Sequence, residues 1–166
     1  MNAVHLTSYK SRSRLYVSRF TFYALHTMPP ITRTFVKTAL VYFVAALIVA
    51  LLLAARPVLD LPRAIGALSP LYFHLFMVGW VTQLIIGVAY WMFPKYTRTL
   101  PRGHDWLMWT AYVGLNAGLL ARLVGEPMQT LRPAPLWGWL LVFSALAQWL
   151  GGMAFIANFW PRVKEK

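Results

Sequence analysis

The chain has 166 residues, of which 59% are hydrophobic and only 12% are charged, and its mean hydropathy is +0.55. A soluble domain carries about 25% charged residues, so this composition indicates an integral membrane protein. The formal net charge of +12 would suggest nucleic acid in a soluble chain. Here the basic residues lie in short segments between apolar runs, where they set orientation and meet anionic lipid headgroups. We therefore expect the lipid bilayer as a partner and no nucleic acid.

The lack of cysteine excludes disulfides, thiolate metal sites, iron–sulfur clusters and c-type haem attachment.

The N-terminal segment, residues 1–33, is polar and basic. Its short apolar patch is too brief for the core of a signal peptide. A solvated cytoplasmic tail is favoured over a basic segment that lies on the membrane surface. Met28 is followed by two prolines and is a second plausible start, so translation from Met1 and translation from Met28 both stay open.

Four uncharged apolar runs follow, and a helix needs about 20 such residues to cross a bilayer. They are residues 38–55, 64–94, 106–121 and 133–161. The third run has 16 residues and reaches a spanning length only if Arg122 snorkels to the surface. The Glu126-Pro127 pair is expected to close it. The predicted fold is all-α, an integral membrane four-helix bundle over residues 34–161, with residues 162–166 as a cytoplasmic tail.

The basic residues also predict the orientation of the four spans. One side of the membrane receives twelve Lys or Arg residues, from the N-terminal segment, the turn after the second span and the C-terminal tail. The other side receives four, namely Arg56, Arg63, Arg122 and Arg132. Cytoplasmic loops carry the excess of basic residues, so both termini are expected in the cytoplasm. We expect a multi-pass protein of the bacterial inner membrane.

His74 is the natural place to look for function, because an ionisable side chain inside a span is costly. At about 100° per residue, it shares one face of the second span with Val78, Val81, Ile85 and Met92. Small and polar residues on other faces predict helix packing. These packing candidates are Gly79, Gln83 and Gly87 in the second span, Gly114 and Gly118 in the third, and Ser144, Gln148 and Gly151 in the fourth.

Carboxylates are missing from the predicted spans. The four acidic residues all lie outside the spans or at their edges: Asp60, Asp105, Glu126 and Glu165. A proton pump or secondary transporter is therefore disfavoured, and His74 has no carboxylate at its depth with which to form a catalytic pair. We expect its ring to bond Ser144, Gln148 or a backbone carbonyl of a neighbouring helix.

Several sequence runs, the first of them around residues 71–102, carry a resemblance to a known family. The runs PLYFHLFMVGWVTQLIIGVAYWMFPK, LPRG, YVGLNAGLLAR and AQWLGGMAFIANFWPRVK are similar to small four-helix membrane proteins described as cbb3-type cytochrome c oxidase subunit I-like. The resemblance covers the chain from about Met28 onward. It implies a fragment of the haem–copper oxidase core, in which a histidine near the outer end of the second helix is an axial ligand of low-spin haem b. The matching position is His74.

Two hypotheses follow from this resemblance. The first is a non-catalytic subunit or assembly partner of a respiratory or photosynthetic electron-transfer complex, held to its neighbours by helix packing. The second is a haem-b electron carrier with His74 as one ligand of the iron. Its second ligand would be Met128, expected in an outer loop, or His74 of a second copy, or the position would stay open. The first is favoured, because one histidine does not make a bis-histidine site within a monomer. Oxygen reduction by the chain alone is not expected.

Overall fold

The structure, a computed structural model, describes residues 28–93, 97 and 102–163. Within these ranges the secondary structure is entirely helical, and four helices are long and apolar enough to cross a membrane. They are α1 (Pro30–Ala55), α2 (Ala64–Met92), α3 (Asp105–Leu131) and α4 (Pro135–Phe159), the last continued by a 3₁₀ turn at Trp160–Arg162. This confirms the prediction of an all-helical fold with four helices of spanning length and composition. The basic segment before Met28, the turn residues Lys95 and Arg98, and the tail 164–166 lie outside the described residues.

Helix α1 starts at Pro30, eight residues before the uncharged run that predicted it. Proline suits the first helical turn because the N–H that it lacks has no intrahelical acceptor there. Lys37 lies inside this helix and is exposed, so its long stem lets the charge leave the apolar surface. The helix ends at Ala55, just before Arg56 and Pro57.

Helix α2 changes its hydrogen-bonding pattern three times. It begins within a 3₁₀ turn (Arg63–Leu68), becomes an α-helix (Ser69–His74), widens into a π-helix (Leu75–Thr82) and returns to an α-helix (Gln83–Met92). In the π segment the Thr82 hydroxyl donates to the carbonyl of Met77 at 2.8 Å. A π-helix bonds i to i+5 and is rare outside single functional turns.

The predicted face that His74 shares with Ile85 and Met92 assumed a constant rotation of about 100° per residue, and the π segment changes that rotation. His74 lies directly before it, and Ile85 and Met92 lie after it, where they are 60% and 69% exposed. The wider turn shifts every later residue around the helix axis relative to His74. Gly79 and Gln83, from the predicted packing face, are both buried.

Helix α3 does not close at Glu126-Pro127 as predicted. It continues through both residues to Leu131, so that Glu126 is an intrahelical, buried carboxylate. Arg122 donates from Nη1 to Glu126 Oε1 at 2.8 Å, one turn away on the same helix. The two charges offset each other, which lets the helix carry them without ending.

The four helices meet at one end of the molecule. A core cluster there takes residues from all four: Ile31, Phe35, Ile86, Tyr90, Met108, Ala111, Leu115 and Ala154. Elsewhere α1 packs mainly on α2, and α4 mainly on α3. Only 11% of the most apolar stretch of α1, and the same share of α4, is buried inside the protein. These two helices therefore present long apolar faces to the surroundings.

Candidate functional site

His74 and Glu126 are brought together across the interface of α2 and α3. The Nδ1 atom of the ring lies 3.0 Å from Oε1 of the carboxylate, and Arg122 binds the same oxygen. The Glu126 side chain is only 7% exposed, the Arg122 side chain 18% and the His74 side chain 30%. The three side chains form a compact cluster of ionisable groups inside the helical part of the protein, which we call the triad.

The hydrogen bonds of the His74 ring assign its tautomer. Nδ1 also lies 3.1 Å from the carbonyl oxygen of Pro70, four residues earlier on α2. Both neighbours of Nδ1, the Glu126 carboxylate and the Pro70 carbonyl, accept hydrogen bonds, so Nδ1 carries the proton and donates it. In the neutral ring this leaves Nε2 as the acceptor atom, the arrangement typical of a histidine oriented by a carboxylate or carbonyl behind it.

The triad is incompletely satisfied within the described part of the chain. Glu126 Oε2, Arg122 Nε and Gln129 Oε1 are buried and have no hydrogen-bond partner among the described residues. Buried polar atoms normally find a partner in protein or ordered water. Arg122, Glu126 and Gln129 are spaced i, i+4 and i+7, so they lie along one face of α3. This face of α3 therefore carries two charged groups and one amide within an otherwise apolar helix.

The partners expected for the His74 ring were wrong. The ring was expected to bond Ser144, Gln148 or a carbonyl of a neighbouring helix. Ser144 instead donates to the carbonyl of Gly118 at 2.7 Å, and Gln148 donates to Ser144 at 3.4 Å. The carboxylate that does face His74 is Glu126, which the predicted end of the third span at Glu126-Pro127 would put at the membrane edge.

Met128, the other residue predicted to bind a cofactor, lies in α3 and not in an outer loop. It is two residues from Glu126 and therefore about 200° around the helix axis from it. Since Glu126 is the residue that contacts His74, Met128 points to a different side of α3. The structure does not bring the two candidate ligands together.

A second polar contact between α2 and α3 joins two amides. Gln83 Nε2 donates to Asn116 Oδ1 at 3.3 Å, and Asn116 Nδ2 donates back to Gln83 Oε1 at 3.1 Å. Asn116 also donates to the carbonyl of Tyr112 at 2.8 Å. Gln83 is fully buried, so this reciprocal pair satisfies polar groups that have no access to water.

The predicted packing glycines lie where helix backbones come close. A Cβ added at Gly114 would lie 2.7 Å from the carbonyl of Ala147, and one at Gly118 would lie 2.8 Å from the carbonyl of Ser144. One at Gly151 would lie 3.0 Å from the carbonyl of Ala111. The three glycines form a seam between α3 and α4 that only hydrogen side chains permit.

The two glycines of α2 face α1. A Cβ added at Gly79 would lie 2.8 Å from the Cβ of Tyr42, and one at Gly87 would lie 2.9 Å from the Cβ of Phe35. Neither glycine can gain a side chain without a shift of α1. Together with the α3–α4 seam, these contacts place the five glycines at helix interfaces.

Sequence reasoning missed a polar cluster at the end of the molecule where the four helices meet. The fully buried Arg162 donates from Nη2 to the carbonyls of Tyr90 and Phe93 at 3.1 and 2.9 Å. Asn158 receives the backbone N–H of His104 at 2.7 Å and donates to the carbonyl of Arg102 at 3.3 Å. These bonds tie the end of α4 to the end of α2 and the start of α3.

Asp105 has its partner on another helix. It is the first residue of α3 and receives the hydroxyl of Tyr90. The helix start has no side-chain cap. The sequence did offer one indication of this cluster: Arg162, Tyr90 and Asp105 lie near three predicted helix ends on the same side of the membrane.

No family model, no curated protein and no solved structure matches the chain. Among residues 28–93, 97 and 102–163, no group of three or more His, Cys, Asp or Glu side chains is arranged to hold a metal ion.

Proposed function

We propose that the chain is a non-catalytic membrane subunit or assembly partner of a respiratory or photosynthetic electron-transfer complex, of the haem–copper oxidase subunit I-like kind. In this proposal it lies in the bacterial inner membrane with both termini in the cytoplasm. The excess of basic residues at the N-terminal segment, the turn after α2 and the C-terminal tail supports that orientation.

The observation that carries the proposal is how the intramembrane polar side chains are used. Gln83 pairs with Asn116, Ser144 with the carbonyl of Gly118, and His74 with Glu126. Each pair joins two different helices. Polar groups used in this way hold a bundle together, which is what a subunit that acts by packing requires.

The apolar faces of α1 and α4 supply surfaces for neighbouring subunits. Leu51 on α1 is 69% exposed, and Trp139 and Trp149 on α4 are 73% and 60% exposed. Such side chains in a bilayer contact either lipid or another membrane protein. A subunit that links partners would bind a neighbouring protein through one of these two faces.

Photo-crosslinking in native membranes tests the proposal. A photoreactive amino acid at Trp149 samples the exposed face of α4, and the same group at the fully buried Ala111 is the matched control. We expect a protein adduct from Trp149 alone, with a partner that co-purifies with haem and with oxidase or quinol-oxidising activity. Lipid adducts alone, from Trp149 and from an equivalent probe at Leu51, contradict the proposal.

A second candidate, a haem-b electron carrier, is favoured by the orientation of His74. The single proton of Nδ1 lies between the Pro70 carbonyl and the Glu126 carboxylate, which would leave Nε2 to bind iron. The ring therefore fits one axial position of a haem, whose iron would supply one-electron chemistry when bound. Met128 faces another side of α3, so within the described residues the fit extends to one ligand. The second position would be filled by His74 of another copy, or left open.

The two candidates differ in their optical spectra. A carrier shows a b-type absorption band that depends on His74, whereas a packing subunit is colourless when it is purified alone.

A further inference from the structure

A cavity of about 330 Å³ lies at the end of the molecule where the four helices meet, between the start of α1 and the start of α3. The residues that decide its chemistry are Arg33, Arg102, Asp105, Tyr90 and Trp109. The cavity lies on the side of the helices opposite to the Arg56–Arg63 loop, and well away from the triad. It plays no part in the proposed function.

The charge of the lining is positive. Arg33 and Arg102 contribute two guanidinium groups, and Asp105 contributes one carboxylate that already accepts the Tyr90 hydroxyl. Guanidinium groups bind phosphate oxygens with paired, charge-assisted hydrogen bonds. Helices α1 and α3 both begin at this cavity, and the positive ends of their dipoles add to the same field.

The remaining lining is apolar and lies at the boundary of the apolar helices. Pro29, Pro30 and Ile31 form one wall, and Trp109, which is 45% exposed, lies on the other. Tryptophan is enriched at membrane interfaces because its ring is apolar and its N–H is polar. A site with arginines beside an aromatic ring at this depth suits a ligand that has a phosphate and an apolar remainder.

We propose that this cavity binds the phosphate group of an anionic phospholipid. Arg33 and Arg102 hold the phosphate oxygens, and Trp109 contacts the glycerol and the first carbons of the acyl chains. Basic pockets between helices at the membrane surface bind anionic headgroups in this way. A soluble phosphate shares the same oxygens and lacks the apolar part, so the two sources are separable by experiment.

Native mass spectrometry of the full chain in neutral detergent tests the site. Dioctanoyl phosphatidylglycerol and dioctanoyl phosphatidylcholine are titrated separately, and inorganic phosphate is added as a competitor. We expect phosphatidylglycerol to bind more tightly than phosphatidylcholine. Arg33→Gln and Arg102→Gln should each weaken it roughly fivefold. Arg132→Gln removes the same charge from an exposed position outside the cavity and should change affinity less than about twofold.

Asp105→Asn gives a test in the opposite direction. It removes the negative charge from the lining and keeps an acceptor for Tyr90, so it should strengthen binding of phosphatidylglycerol. Resistance to millimolar phosphate assigns the site to lipid, and displacement by phosphate assigns it to a soluble phosphate compound. Equal binding of the two lipids, or equal effects of Arg33→Gln and Arg132→Gln, overturns the proposal.

Discussion

The imidazole of His74 and the carboxylate of Glu126 are 3.0 Å apart, on different helices, within segments apolar enough to cross a membrane. Arg122 binds the same carboxylate oxygen. The cluster therefore contains one acid and two bases, and the acid lies between them. Removing the acid would leave the half-buried Arg122 without its counter-charge, which is more costly than removing a surface charge.

The coupling of this pair can be measured with a double-mutant cycle. Glu126→Gln should destabilise the protein by about 1–3 kcal/mol, because a buried charged hydrogen bond is lost. His74→Gln should destabilise the parent protein more than it destabilises the Glu126→Gln variant, with a coupling energy of about 0.5–3 kcal/mol. Unfolding in mixed micelles gives the free energies of the four proteins in the cycle: the parent, the two single variants and the double variant. Additive effects would show that the two side chains do not interact.

Two adjacent glycines on α4 give a matched test of the α3–α4 seam. A Cβ at Gly151 would meet the Leu115 nitrogen and the Ala111 carbonyl, each at 3.0 Å, whereas one at Gly152 has nothing within 4 Å. Gly151→Ala should destabilise the protein by about 1–3 kcal/mol through overpacking. Gly152→Ala should be neutral or stabilising, since alanine is the better helix former. Thermal unfolding in detergent compares them, and equal melting temperatures would argue against close contact at this seam.

The amide pair predicts a non-additive effect of a different kind. Gln83→Leu leaves the Asn116 amide without its partner on α2 and should cost about 1 kcal/mol. The double variant Gln83→Leu/Asn116→Leu removes both polar groups and should be closer in stability to the parent protein. Thermal unfolding in detergent compares the stabilities of the parent, the single variants and the double variant. A double variant less stable than either single variant would show that leucine does not fit the space or that the amides have other partners.

Orientation in the membrane is testable with reporter fusions at Asp60 and at Lys166. Asp60 lies between α1 and α2, and Lys166 is the last residue of the chain. We expect the fusion at Lys166 to report the cytoplasm and the fusion at Asp60 to report the opposite side, following the distribution of basic residues. A C-terminus outside the cytoplasm would contradict the predicted topology.

The number of spans was predictable because an uncharged apolar run of bilayer length has few alternatives to a helix. The end of the third span was not. Glu126-Pro127 has the composition of a helix end, yet the proline is accommodated inside α3, Arg122 pairs with the glutamate one turn away, and His74 of α2 contacts the same carboxylate. The Arg122 pair is local, but the His74 contact depends on how α2 packs against α3, which local sequence does not encode.

The site was predictable in part for the same reason. His74 stood out because a lone ionisable residue in an apolar run is costly. Its partner did not, because the depth of Glu126 follows from where α3 ends. The π segment after His74 also has no sequence signal comparable to a proline or a cap, so the predicted face that joins His74 to Ile85 and Met92 was wrong. Glycine spacing, by contrast, led directly to the α3–α4 seam.

The reduced-minus-oxidised visible spectrum of the chain, expressed with haem supplied and purified alone, tests the central claim that it is a non-catalytic packing subunit. We predict a colourless preparation whose spectrum is the same in the parent protein and in His74→Ala. A b-type band that is present in the parent, absent in His74→Ala and retained in the Gly152→Ala control would contradict this claim and identify His74 as a haem ligand.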